Sequence, residues 1–157
     1  MKNIYLSLVV LLITAGINAQ VVGSNHSRYT EADTLRGSLR PERTNFDVRK
    51  YHLKLKIEPE RKFISGSNTI TFKVKDELPV MQLDLFENME IDSIVHQGNK
   101  LEYERRFNAV FIDFEQPLRK GSKDSIQFYY HGNPIEASNA PWDGGFVWTK
   151  DREANPW

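Results

Sequence analysis

The 157-residue chain contains no cysteine. That excludes a disulfide framework, a thiol nucleophile, cysteine-ligated zinc and a lipid anchor through a lipidated cysteine. An excess of charge of either sign is missing too, because 21 lysines and arginines face 21 acidic residues. Without a basic surplus or a basic run, nucleic acid and anionic membranes are poor candidates for the main partner. Catalytic signatures are also absent: the sequence has no His-Glu-x-x-His, no Gly-x-Ser-x-Gly and no glycine-rich phosphate loop. The four histidines, His26, His52, His96 and His131, are scattered, and none has a second histidine at helical ligand spacing. Pairs of carboxylates such as Asp84 with Glu87 offer an acid and a base, but solvated strand carboxylates explain them better. The chain as it stands therefore reads as non-catalytic.

Long apolar runs are scarce as well. Ile4 to Ile13 forms one, preceded by Lys2 and followed by Ile17-Asn18-Ala19. It falls well short of the ~20 residues a bilayer span needs. The pattern predicts a Sec-type signal over residues 1–19, removed on export to the periplasm or medium and leaving no membrane span. Residues 20–43 are polar, with neither helical nor strand period, and read as a mobile leader. Asn25-His26-Ser27 fits an N-glycosylation sequon, and Asp33-Thr34-Leu35 is similar to a bacterial O-glycosylation site. A plain linker accounts for both.

What the chain does have is alternation. Tyr51, Leu53, Leu55 and Ile57 alternate with His52, Lys54, Lys56 and Glu58, placing four apolar side chains on one face of a strand. Pro59 stops the run, Glu60-Arg61-Lys62 turns it, and a second run carries Ile70, Phe72 and Val74. The two predict an antiparallel ribbon with one wet face, with a bulge or bend at Gly66. Pro79 is expected to break the chain before a strand over Met81, Leu83 and Leu85. Further runs follow at Ile91–Val95, Leu101–Arg105, Val110–Phe114 and Ile126–Tyr130, with a two-residue turn expected at Gly98-Asn99. With no helical stripe in between, about seven to eight strands predict an all-β domain over residues 44–134, an antiparallel saddle-like double sheet or sandwich.

Residues 135–157 differ in kind. Pro141-Trp142-Asp143-Gly144-Gly145-Phe146-Val147-Trp148 leads to Asn155-Pro156-Trp157, and every tryptophan of the chain lies here. Asp143-Gly144-Gly145 suggests a tight turn across which Trp142 and Trp148 face each other. Aromatic side chains gathered on a loop favour contact surfaces, so Trp142, Phe146, Trp148 and Trp157 are the candidate contact residues. One use for them is a platform for sugar rings or protein in a secreted β-sandwich binding module.

Taken together, Phe46-Asp47-Val48-x-x-Tyr51-x-Leu53-x-Leu55-x-Ile57-x-Pro59, Ile64-Ser65-Gly66-x-x-x-Ile70-Thr71-Phe72, Leu83-Asp84-Leu85 and Tyr129-Tyr130-x-Gly132-x-Pro134 resemble one family. It is the N-terminal domain of gluzincin zinc aminopeptidases of the aminopeptidase N and leukotriene-hydrolase type. The Pro141 to Asp151 stretch is similar to Bacteroidetes-like members, and the resemblance covers Leu35 to Trp157. It implies a saddle-shaped β domain packed on a thermolysin-like zinc domain, which would be its partner along with peptide substrates of the parent enzyme. It also implies zinc, held by a catalytic domain that this sequence does not include. The family's Gly-x-Met-Glu-Asn loop and His-Glu-x-x-His helix have no counterpart here, so no catalytic, cofactor or metal residue is carried over. The residues 135–157 would then lead toward that domain.

Overall fold

The structure is a computed structural model that describes residues 29–156. The expected signal, the Asn25 sequon, His26 and Trp157 lie outside the described residues. Two antiparallel sheets form the domain. The larger has the order β1 (Phe46–Glu58), β2 (Phe63–Val74), β8 (Lys123–Gly132), β4 (Met89–His96), β5 (Asn99–Lys100). The smaller has the order β3 (Leu78–Asp84), β7 (Ala109–Leu118), β6 (Tyr103–Arg106). The all-β double sheet expected from the alternation is what the chain adopts.

The core lies between the sheets. Ile70, Phe72, Val74, Ile94, Ile126 and Phe128 from the larger sheet meet Leu78, Met81, Val110, Ile112 and Phe114 from the smaller. Phe46 packs edge-on against Phe72 with ring centroids 5.8 Å apart. Opposite residues of an antiparallel pair share a face. Phe46 and Val48 therefore point inward through Val74 and Phe72, while Tyr51, Leu53, Leu55 and Ile57 share their face with Ile70, Asn68, Gly66 and Ile64. The spacing from Val48 to Tyr51 is odd, and a register shift between Val48 and Lys50 keeps both apolar sets on the same side.

Several local expectations are corrected. The irregularity sits at Val48/Lys50 and not at Gly66, which stays in register opposite Leu55. Gly66 is needed for another reason: a Cβ there would stand 2.0 Å from the Lys54 carbonyl oxygen. Pro79 does not end a strand. It lies within β3, an edge strand, beside a register shift between Leu78 and Val80, where a missing N–H costs no ladder bond. The turn between β4 and β5 is Gln97-Gly98, one residue earlier than Gly98-Asn99. His96 pairs with Asn99, and both central residues have positive φ, 49° and 88°. Glycine takes the second central position, as the twist of a two-residue hairpin favours.

The polar leader also gains structure. α1 (Glu31–Gly37) falls inside it, and α2 (Pro41–Thr44) begins in it and ends one residue beyond. A capping box starts α1: the Asp33 N–H donates to Thr30 Oγ1 at 3.2 Å and the Thr30 N–H donates to Asp33 Oδ2 at 2.9 Å. Leu35 then buries against Ala109 and Phe111 on the outer face of the smaller sheet. A helix this short shows too few turns for a hydrophobic period to register, so the cap was its only signal. Asp33 and Leu35 of the suggested glycosylation triplet are thus engaged in the cap and the core. No helix among the described residues is long and apolar enough to cross a membrane.

Candidate functional site

The tryptophan-bearing segment is ordered by polar contacts. Asp143 Oδ2 accepts hydrogen bonds from the backbone N–H of Ser138 at 2.7 Å and of Asn139 at 2.8 Å. The Phe146 N–H donates to the Ile135 carbonyl at 2.7 Å and the Ala137 N–H donates to the Phe146 carbonyl at 3.0 Å. Phe146 thereby bridges Glu136, whose carboxylate pairs with Lys62 at 2.8 Å. A Cβ at Gly145 would stand 2.6 Å from the Ala137 nitrogen, so glycine permits this crossing. Asp151 performs the same service downstream. Its carboxylate accepts from the N–H groups of Glu153 and Asn155, both at 2.8 Å, and these bonds, the Asn155 one foremost, hold its pKa below the ordinary aspartate value.

Trp142 and Trp148 do not stack on each other. Trp148 lies on Phe146, ring centroids 5.2 Å apart and 25° between planes, and both are half-buried. Trp142 stands alone at 83% exposed. The chain after Asp143 folds back to Glu136 and not to Trp142, which is why the expected small hairpin does not form. Among the described residues, the one exposed indole that the segment offers a partner is that of Trp142.

A second surface was not visible in the sequence. The smaller sheet covers β1 at Phe46 and Val48, but Tyr51, Leu53, Leu55 and Ile57 are 41–58% exposed. The smaller sheet ends near Gln82 to Leu85, and a cleft of about 410 Å³ opens at that step, lined also by Phe46, Tyr51, Asn68 and Tyr130. Two amide oxygens of this lining, Asn68 Oδ1 and Gln82 Oε1, are buried without a hydrogen-bond partner. Gln82 is only 2% exposed, and its amide nitrogen donates to the Leu35 carbonyl at 2.9 Å and to Asp84 Oδ1 at 3.2 Å. Burial pushes the Tyr130 phenol above its ordinary pKa. Unpaired buried acceptors are uncommon and mark a place where a donor is wanted.

No protein-family model matches the sequence, and no curated protein does. Solved structures do match. An M1 zinc metallopeptidase from Deinococcus radiodurans aligns with 59% of this chain and 22% of its own, at 25% identity and a TM-score of 0.52. A mutant two-domain M1 zinc metallopeptidase bound to L-tryptophan aligns with 63% of this chain and 23% of its own, at 26% identity and a TM-score of 0.54. The chain is built like part of an M1 zinc metallopeptidase. It spans under a quarter of the length of those structures.

An M1 likeness makes zinc the group to test against the residues present. His96 Nε2 pairs with Asp124 Oδ2 at 2.9 Å, and His131 Nδ1 with Asp92 Oδ1 at 2.7 Å. Neither pair gains a third donor: no group of three or more His, Cys, Asp or Glu that could hold a metal ion occurs among the described residues. His52 is exposed on the outer face of β1. Asp84 pairs with Arg43 at 3.0 Å, which ties it to α2 and away from acid–base use with Glu87. The donor set among the described residues does not fit zinc.

Proposed function

We propose that this chain is the N-terminal, non-catalytic domain of an exported zinc aminopeptidase that removes N-terminal residues from peptides. The observation that carries the reading is the match of its two-sheet fold to M1 zinc metallopeptidases at 25–26% identity. The domain acts as scaffold and as one wall of the substrate cleft, excluding water and long substrates from the reacting bond. Zinc is held by the partner catalytic domain, since the donor set here does not fit it. The loop carrying Trp142, Phe146 and Trp148 is the contact toward that domain, its carboxylate-pinned turns presenting the Trp142 indole at little cost in conformational entropy.

The test is to isolate the native polypeptide with an antibody against residues 44–134 and measure its mass, zinc content and hydrolysis of aminoacyl-4-nitroanilides. A larger polypeptide with bound zinc and amino-terminal peptidase activity is expected. A zinc-free, inactive polypeptide of this chain's mass overturns the reading. The exposure of Trp142 favours a second reading, a secreted module that binds sugar rings. Saturable tryptophan fluorescence changes on titration with polysaccharide are its expected sign.

A further inference from the structure

We propose that the cavity between α1, the β3–β4 loop and the β6–β7 turn binds a small aromatic carboxylate, one ring system with a short acidic arm. Leu35 and Ala109 are its buried apolar members, and Phe86 and Phe107 line it with their side chains 57% and 50% exposed. The residue that the fold leaves unexplained is Phe107. It is the first of two residues between Arg106 and Ala109, which pair across the hairpin, and its φ is 53°. Two-residue hairpins give that place to glycine, asparagine or aspartate, because a bulky side chain is strained at positive φ. Burial does not offset the strain, since half the ring faces solvent. Such strain persists at ligand clamps, where it serves the contact.

Both rings are carried on fixed backbone. The Arg105 guanidinium donates to the carbonyl oxygens of Leu85 at 2.9 Å, Phe86 at 2.6 Å, Met89 at 2.7 Å and Phe107 at 3.3 Å. Asn108 ties the same two loops, its carbonyl accepting from the Leu85 N–H at 2.8 Å and its Oδ1 from the Glu87 N–H at 2.9 Å. A ligand between the rings therefore orders little that is not ordered already.

Size and charge set the class of ligand. The cavity holds about 250 Å³, below the ~300–1,000 Å³ of sites for drug-sized molecules. A single ring system with a short arm fills it, and a fatty acid outruns it. An aromatic ring gains on the two phenylalanines beyond the area it buries. The lining carboxylates are engaged, Asp33 by the Thr30 N–H and hydroxyl and Asp84 by Arg43 and Gln82. Arg36, in the same lining, forms no ion pair among the described residues. The Asn108 amide nitrogen has no hydrogen-bond acceptor there either, its oxygen being taken by Glu87. Both uncommitted groups are donors, the complement of a carboxylate.

The probe is indole-3-acetate, titrated into isotopically labelled full chain and followed by nuclear magnetic resonance. Two analogues accompany it: indole-3-acetamide, which lacks the charge, and cyclohexylacetate, which lacks the aromatic ring. Saturable shifts at Ala32, Arg36, Phe107 and Asn108 are expected. Affinity should fall about twofold to fivefold for the amide, the scale of an exposed ion pair. It should fall about threefold to tenfold for cyclohexylacetate. Arg36→Gln should bind acid and amide alike. Phe107→Gly should weaken the acid about tenfold and melt no lower than the parent, because glycine accepts the positive φ. A Phe107→Gly chain that melts lower shows that the fold needs the ring, and overturns the proposal. Equal affinity of the parent for the acid and either analogue overturns it as well. So do shifts confined to Trp142 and Trp148, or the absence of saturable shifts at millimolar acid.

Discussion

The two ends of β1 are alike in sequence and unlike in fate. Phe46 and Val48 face the core under the smaller sheet, while Tyr51, Leu53, Leu55 and Ile57 continue the same face into solvent. Both sets are apolar and both alternate with polar residues. The difference is the reach of the covering layer, since β3 ends at Asp84 and the β1–β2 ribbon extends beyond it. Alternation therefore encodes a two-faced strand, and burial depends on whether another element arrives to cover it.

The largest effect should come from the covered end. Phe72 is fully buried and touches Phe46 across the ribbon. Phe72→Ala removes a whole aromatic ring from the intersheet core and should cost about 3–5 kcal/mol, measured by urea denaturation. The loss approaches the whole stability of a small domain. If the variant melts like the parent, the core does not lie where the two sheets meet. Gly66→Ala comes next. Its Cβ would meet the Lys54 carbonyl oxygen, and since backbone must yield, about 1–3 kcal/mol should be lost. A neutral result would mean that β1 and β2 are not so closely apposed at Leu55.

The strands were legible because the half-covered sheets preserve a period of two. The all-β class, the β1–β2 ribbon and most strand positions follow from Tyr51 to Ile57, Ile70 to Val74 and their counterparts downstream. Errors gathered where one residue decides geometry. Gly98 takes the second place in its turn, Pro79 hides in an edge-strand irregularity, and the odd spacing from Val48 to Tyr51 conceals a bulge. The tryptophan segment was legible as a loop. Its internal order was not, because Asp143 and Asp151 act through backbone N–H groups that any sequence supplies. The cleft was invisible, since Gln82 and Asn68 come together only through the packing of two sheets.

A smaller effect concerns the other covered face, where Leu35 of α1 packs on Ala109 and Phe111. Thr30→Ala deletes the cap oxygen and should cost about 1 kcal/mol, read most directly as faster amide hydrogen exchange across α1. Exchange unchanged from the parent would show that α1 is held by Leu35 and not by its cap. At the bare end, Leu55→Ser should alter stability by no more than about 0.5 kcal/mol. Paired with Phe72→Ala, it measures the comparison directly. A Leu55→Ser loss as large as the Phe72→Ala loss would mean that the stripe is covered in solution.

The smallest effect is a pH response of the same cap. The Asp33 carboxylate accepts from the Thr30 N–H and also from its hydroxyl at 2.7 Å, and these bonds hold its pKa below the ordinary aspartate value. A folded-state pKa that is lowered means the charged form is favoured by folding. Its contribution is complete above the ordinary value and is lost as pH falls through the lowered one. The Thr30 amide resonance should therefore titrate with a midpoint below that of a free aspartate, and α1 should loosen only in that acid range. The bare stripe carries no carboxylate among its four side chains, so the Leu53 and Leu55 resonances should stay still through the same titration. A Thr30 midpoint at the free-aspartate value would mean that the capping box is open in solution. Leu35 would then be held against the smaller sheet by its apolar contacts alone.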